Sequence, residues 1–233
     1  MLPAAILILA LFLGLWAAAA LWLMMAMKLN FRQALLYVPL KLLFGVRDDV
    51  MVSVRDSQAP VIYAVWHSSR LEPALMLSLL PDDTLHILDV DSAQAWWLDP
   101  WRSLARTIVF NARHVFVSRR LVRRLRGRGR LALYLPDDPA PDTKAFRLFR
   151  AISRIAVSSD ARIVPIYVEG ADTSMLSLDK DKRSRLLPRL RIHALPAMTI
   201  ADLIAAAAPE KPLAAAAMFD YLLKVRPSPT DSD

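Results

Sequence analysis

"PVIYAVWHSSRLEPALMLSLL", residues 60–80, changes its period partway along. PVIYAVW (60–66) is β-rich and apolar on both faces, as a strand at the centre of a parallel sheet requires. From residue 68 the pattern becomes helical, with Ser68 or Ser69 as cap and Pro73 in the opening turns. His67 stands at the junction. A strand that runs directly into a helix is half of a βαβ unit, and it points to the α/β class. Ligands gather at the carboxyl ends of such strands. A helix starting near Ser68 also turns backbone N–H groups toward the same crevice. Glu72, about one turn on, can reach back to the imidazole. A carboxylate on one ring nitrogen sets the tautomer and favours the imidazolium, and the other nitrogen can then take a proton from a hydroxyl. The same pair also fits a partly buried histidine satisfied by its neighbour. The residues alone leave both readings open.

The alternation continues outward from this stretch. Strands are expected at 84–90, 107–110, 130–135, 161–170 and 189–196, and helices at 92–106, 112–129 and 144–159. Pro100 should kink or split the first of these helices. In the third, Phe146, Phe149, Ile152, Ile155 and Ala156 mark one apolar face. An Ala-rich helical tail, 199–224, is interrupted near Pro209 and Pro212. The expected fold is α/β, a mixed and largely parallel sheet flanked by helices, with an N-terminal membrane helix.

That membrane helix is residues 1–27, which carry no charged side chain. A run of this length can cross a bilayer with some tilt. It lacks the basic start of a secretory signal and exceeds the roughly 7–15 residues of a signal's apolar core. The AAAA at 17–20 keeps cleavage open. Lys28, Arg32, Lys41 and Arg47 follow the run, so the positive-inside rule puts the rest of the chain in the cytoplasm, at a bacterial-type inner membrane. Residues 28–47 read as an interfacial or buried helix stopped by Gly45. A rival placement has both helices entering a single leaflet. Residues 48–226 form the globular domain, and 227–233 read as a disordered end.

Composition excludes several chemistries. The chain has no cysteine, so disulfides, thiolate metal sites and cysteine nucleophiles are ruled out. Its four histidines have no zinc-site spacing, so no metal is expected. The net charge of +8 points to an anionic partner: membrane lipid, nucleic acid or an acidic carrier protein.

Taken in order, His67-x-x-x-x-Glu72, GRLALYLPDD (129–138), ARIVPIYVEGADTS (161–174) and LLPRLRIHALP (186–196) resemble the phospholipid/glycerol acyltransferase family. The likeness covers roughly residues 48–226 and is most specific at IVPIYVEGA. Within the family it leans toward the acyltransferase domain of bifunctional 2-acylglycerophosphoethanolamine acyltransferases/acyl-carrier-protein synthetases. The resemblance implies acyl transfer from acyl-CoA or acyl carrier protein to a lysophospholipid hydroxyl, with no metal or organic cofactor. His67 would be the general base and Glu72 its orienting partner. Asn111, Asp137, Asp138, Lys144, Glu169 and Gly170 fall where substrate-binding residues are expected. The departures from the family pattern are specific. Trp66 stands where an asparagine is usual, and Glu72 replaces an aspartate. Leu135-Pro136-Asp137-Asp138-Pro139 replaces Phe-Pro-Glu-Gly and the arginine that often follows. Two readings therefore stay open: a working acyltransferase with an altered acceptor site, and a catalytically degenerate relative serving as a membrane-bound binding or scaffold subunit.

Arg119, Arg120, Arg123, Arg124 and Arg126 crowd one helix. They form a solvated basic face, a contact for anionic headgroups, or a dock for an acidic protein partner such as acyl carrier protein. Nucleic acid is not expected, because no nucleic-acid module is present. Trp96, Trp97 and Trp101 belong either to the core or to the headgroup level of a membrane.

Overall fold

The computed structural model describes residues 2–88, 90–109, 116–136, 144–179, 185–207 and 212–226. At its centre is β1 (Val61–His67), buried at every position. β4 (Arg130–Pro136) and β5 (Arg162–Glu169) flank it, both in parallel. Beyond β4 lie β2 (Thr84–Leu88) and β3 (Arg106–Val109), also parallel. The antiparallel β6 (Arg191–Ala194) closes the other edge. The order is β3-β2-β4-β1-β5-β6. Each stretch expected as a strand supplies one, and the sheet is mixed and largely parallel.

Alternation along the strands splits the core in two. Val61, Tyr63 and Val65 face one way, with Ala132, Tyr134, Val164, Ile166 and Val168. Ile62, Ala64 and Trp66 face the other way, with Leu131, Leu133, Leu135 and Ile163. The first face is covered by α1 (Leu2–Met27), α2 (Phe31–Phe44), α4 (Leu71–Leu79) and α6 (Asp99–Arg102). The second carries α7 (Phe116–Arg126), α8 (Lys144–Ser159), α9 (Ile200–Ala206) and α10 (Ala214–Leu223). After β1 the chain turns into α4 on the first face, and after β4 into α8 on the second. Neighbouring strands thus send their connections opposite ways, which opens a crevice between their carboxyl ends. His67 is the last residue of β1.

α4 starts at Leu71, three residues later than the sequence suggests, and all nine of its residues are buried. Its burial follows from its place between the sheet and α2. The carbonyls at its C-terminal end need outside donors. The Gln33 amide supplies one to Leu80 at 2.7 Å, and Arg55 of α3 (Met51–Arg55) supplies one to Leu79 at 2.6 Å. The Gln33 side-chain oxygen also accepts from the Asn30 N–H, completing a capping box that starts α2. Gly45 ends α2 in the left-handed region, φ 53°, as its sequence position suggests.

α1 is docked by half its length. Ala20, Leu23 and Met27 are buried, and the Trp16 indole donates to the Leu35 carbonyl at 3.0 Å. Residues 4–15 are exposed and apolar. Ala4–Met27 is long and apolar enough to cross a membrane by length and composition. The helix expected over 92–106 is broken into α5 (Val90–Gln94), a 3-10 turn (Trp96–Leu98) and α6, with Pro100 at the start of α6. Proline suits that opening position and not a helix interior.

Two local features carry energetic consequences. Gly170 ends β5 at φ +84°, and a Cβ there would stand 2.5 Å from the Arg189 carbonyl oxygen. On the first face, His86 of β2 is fully buried, with Nδ1 3.0 Å from the Tyr134 hydroxyl and, among the described residues, no hydrogen-bond partner at Nε2. Burial pushes its pKa down to about 3.

Gly170→Ala is expected to destabilise the fold by about 2 kcal/mol or more, because left-handed strain of roughly 1–2 kcal/mol adds to the clash. Denaturant unfolding of detergent-solubilised protein reads this directly, and a loss near zero would show that the turn can relax. His86 gives a pH signature. Its folded pKa of about 3 lies below the ordinary 6.5, so the unfolded chain binds the extra proton between those values. Its contribution is complete above pH 6.5 and falls by up to about 1.4 kcal/mol per pH unit toward pH 3. His86→Gln should flatten that part of the stability profile, and an unchanged acid slope would contradict the assignment.

Candidate active site

His67 and Glu72 meet at the start of α4. His67 Nδ1 lies 3.6 Å from Glu72 Oε2, and both side chains are nearly sealed from solvent. A buried carboxylate needs donors around it. Glu72 Oε1 accepts from the Ser68 N–H at 3.1 Å and the Ser68 hydroxyl at 2.7 Å, and Oε2 accepts from the Ser69 N–H at 2.9 Å. The Ser69 hydroxyl in turn accepts from the Leu71 N–H at 3.0 Å. Ser69-Arg70-Leu71-Glu72 has capping-box spacing, and its glutamate half forms. The N–H groups that the sequence directs at a ligand are therefore spent on Glu72. The extra methylene of glutamate, relative to aspartate, lets the carboxylate fold back over the start of its own helix.

The other imidazole nitrogen, Nε2, lies 3.4 Å from the Ser92 hydroxyl of α5. The Tyr134 ring packs edge-on against His67 at 5.7 Å between centroids, and it stacks on His86 at 6.3 Å. The three aromatic side chains come from adjacent strands on the first face. Ser92, Tyr134 and His86 were not singled out by the sequence. Their only signal was a polar group at an inward position of an otherwise apolar strand or helix start. The segment after Gly170 is tied alongside: the Arg70 N–H donates to the Leu176 carbonyl at 2.8 Å, and the Leu178 N–H to the Ser68 carbonyl at 2.9 Å. It carries Met175 and Leu178 on the surface, and Trp96 is exposed just beyond α5.

The other residues named from the sequence fare differently. Glu169 ends β5, one strand from β1, but by alternation its side chain leaves the opposite sheet face, where it accepts from His193 Nε2 at 2.8 Å. Gly170 has a backbone role in the turn that follows. Asn111, Asp137 and Asp138 lie outside the described residues, as does the side chain of Lys144 at the start of α8. Arg119 and Arg120 belong to α7, with side chains outside the described set. Arg123 is exposed, Arg124 donates to the Asp83 carbonyl at 3.5 Å, and Arg126 donates to the Ser158 carbonyl at 2.8 Å. α7 leads into the amino end of β4, so these arginines sit by the sheet edge opposite His67, about 20 Å away along a seven-residue strand. The tryptophans divide between the two expectations. Trp97 and Trp101 pack edge-to-face at 6.2 Å against the core, and Trp96 is exposed.

No family model matches the sequence. The fold is similar to the solved structure of the 1-acyl-sn-glycerophosphate (LPA) acyltransferase, PlsC, from Thermotoga maritima. The TM-score is 0.52 over 92% of this chain and 97% of that one, at 12% sequence identity. At that identity the likeness is one of fold alone.

Proposed function

We propose that this chain is a membrane-bound acyltransferase that moves an acyl group from acyl-CoA or acyl carrier protein to a lysophospholipid hydroxyl. The observation that carries this reading is the buried His67–Glu72 pair at the crevice between β1 and β4. Nδ1 faces a carboxylate that is itself locked in place, and Nε2 faces a hydroxyl 3.4 Å away. An acceptor hydroxyl taking that position would give up its proton to Nε2. The 3.6 Å gap to Glu72 is of the kind that tightens to a hydrogen bond once imidazolium forms. The acceptor oxygen attacks the thioester carbonyl carbon, the C–S bond breaks, and the leaving thiolate takes the proton back from the imidazolium.

The fold likeness to a solved lysophosphatidate acyltransferase supports the same reaction class. So does the exposed apolar rim of Trp96, Met175 and Leu178 beside the site, which suits entry of a lipid from the bilayer. The apolar α1 supports attachment to the membrane, and the basic residues that follow it support a site facing the cytoplasm. The segments IVPIYVEGA and LLPRLRIHALP, which form or lead into β5 and β6, support the narrower likeness to the acyltransferase domain of the bifunctional 2-acylglycerophosphoethanolamine enzymes.

The test is turnover by purified, detergent-solubilised protein offered a panel of lysophospholipids with both donor types. His67→Ala should lower kcat by about 10²–10⁴-fold, the usual contribution of a positioned base, in protein that melts at a lower temperature but still in one cooperative transition. Turnover that survives this substitution removes His67 from the mechanism. A folded, lipid-binding wild type that turns over nothing would replace the enzyme with the degenerate, scaffold-like subunit.

A further inference from the structure

A second concave surface lies at the β6 edge of the sheet, a groove of about 670 Å³ that the proposed reaction does not use. Four fixed cations line it, Arg47, Arg191, Lys224 and Arg226, against two carboxylates, Asp49 and Glu169. Glu169 is engaged by His193 at 2.8 Å. The Arg226 guanidinium lies over the Trp66 ring, 3.9 Å from its centroid. The other three cations form no ion pair or side-chain hydrogen bond among the described residues.

The backbone sets two of them side by side. Arg47 and Arg191 face each other across a parallel bridge, held by Arg47 N–H to Leu190 O and Ile192 N–H to Arg47 O, both 2.9 Å. Like charges directly opposite on adjoining strands destabilise a sheet. Glu169 is also paired in register with Arg191, yet its carboxylate turns to His193 and leaves the arginine unneutralised. Two adjacent guanidinium forks with all their donors free match a tetrahedral oxyanion, which each fork can hold with two parallel hydrogen bonds. Lys224, which follows α10, adds a point charge to the lining. Arg47, Arg191 and Lys224 outnumber Asp49, the carboxylate of the lining that His193 does not engage, and the excess positive charge suits a phosphate better than a single-charged carboxylate.

We propose that this groove is a phosphate-binding subsite, with Arg47 and Arg191 gripping the phosphate oxygens and Lys224 balancing the remaining charge. Arg191 pairs with the last residue of β5 and so shares the sheet's carboxyl edge with His67. Two strand spacings separate it from β1, about 10 Å. Arg191, in register with Glu169, sends its side chain to the sheet face opposite His67, so a molecule engaging both would pass over the carboxyl ends of β1 and β5. This assignment of the phosphate to a substrate rests on the acyltransferase reading; the binding itself does not. Two sources carry the chemistry, the headgroup of the lipid acceptor and the phosphates of the acyl donor.

Titration calorimetry on the full chain in neutral detergent separates them. The probes are 1-acylglycerophosphate in mixed micelles, coenzyme A, and monoacylglycerol as a phosphate-free control. Arg47→Gln with Arg191→Gln should weaken at least one phosphate-bearing probe tenfold or more and leave monoacylglycerol unchanged. Arg191→Lys, which keeps the charge and loses the fork, should fall between. A loss confined to the lipid assigns the headgroup, and a loss confined to coenzyme A assigns the donor. The proposal is overturned if the double variant, melting like wild type, binds both phosphates as tightly, or if wild type binds neither. Groove-dependent binding in a chain without turnover would sink the enzyme reading alone, and turnover with groove-independent binding would sink the groove alone.

Discussion

A carboxylate sealed from water must be compensated by its neighbours, and at Glu72 the compensation shapes the junction around it. Three donors from Ser68 and Ser69 converge on its two oxygens, and His67 stands 3.6 Å beyond. Removing any of these partners would leave charge buried without an answering group, at a cost of several kcal/mol. The arrangement fixes where β1 ends and where α4 begins. It also fixes the imidazole, because the ring is held between the carboxylate and the edge of Tyr134. In the proposed reaction the same carboxylate stabilises the imidazolium, so the structural anchor and the orienting group are one residue.

Burying that junction requires a second layer, and α2 provides it. Its Gln33 side chain joins the start of α2 to the end of α4 through hydrogen bonds at both of its polar atoms. α1 then docks its C-terminal half onto α2 and leaves its first half exposed and apolar. The apolar α1 therefore packs on the same sheet face as His67. The apolar N-terminal helix and the candidate site thus share one layer of the fold, an arrangement that suits the proposed lipid acceptor.

The two ends of the sheet have separate characters. The carboxyl end carries His67, the exposed apolar rim and, around the β6 edge, the cationic groove. The amino end carries the arginines of α7, which are partly spent on the carbonyls of Asp83 and Ser158, and Arg130 of β4, which pairs with the Asp83 carboxylate. A basic helix that reads as one surface in sequence thus serves in part to close the bottom of the sheet. Its exposed members, such as Arg123, face away from the site.

The sequence by itself determined the layers. Apolar runs of strand length, broken by proline, glycine and serine, specified six strands and most of the helices, because burial on both faces leaves an unmistakable composition. It also placed His67 at a strand end with an acid one turn away. What it did not reveal was the use of that acid as a cap, though Ser69-x-x-Glu72 was there to read. Tertiary structure alone decided the rest. The polar groups that surround the imidazole, Ser92 and Tyr134, come from positions 25 and 67 residues further along. Arg47 and Arg191 are neighbours only because a bridge forms across 144 residues. Periodicity records which face a side chain takes, and it carries no record of which distant strand lies beside it. Pairing between strands is chosen by the packing of the whole sheet, so contacts made across it have no local signature.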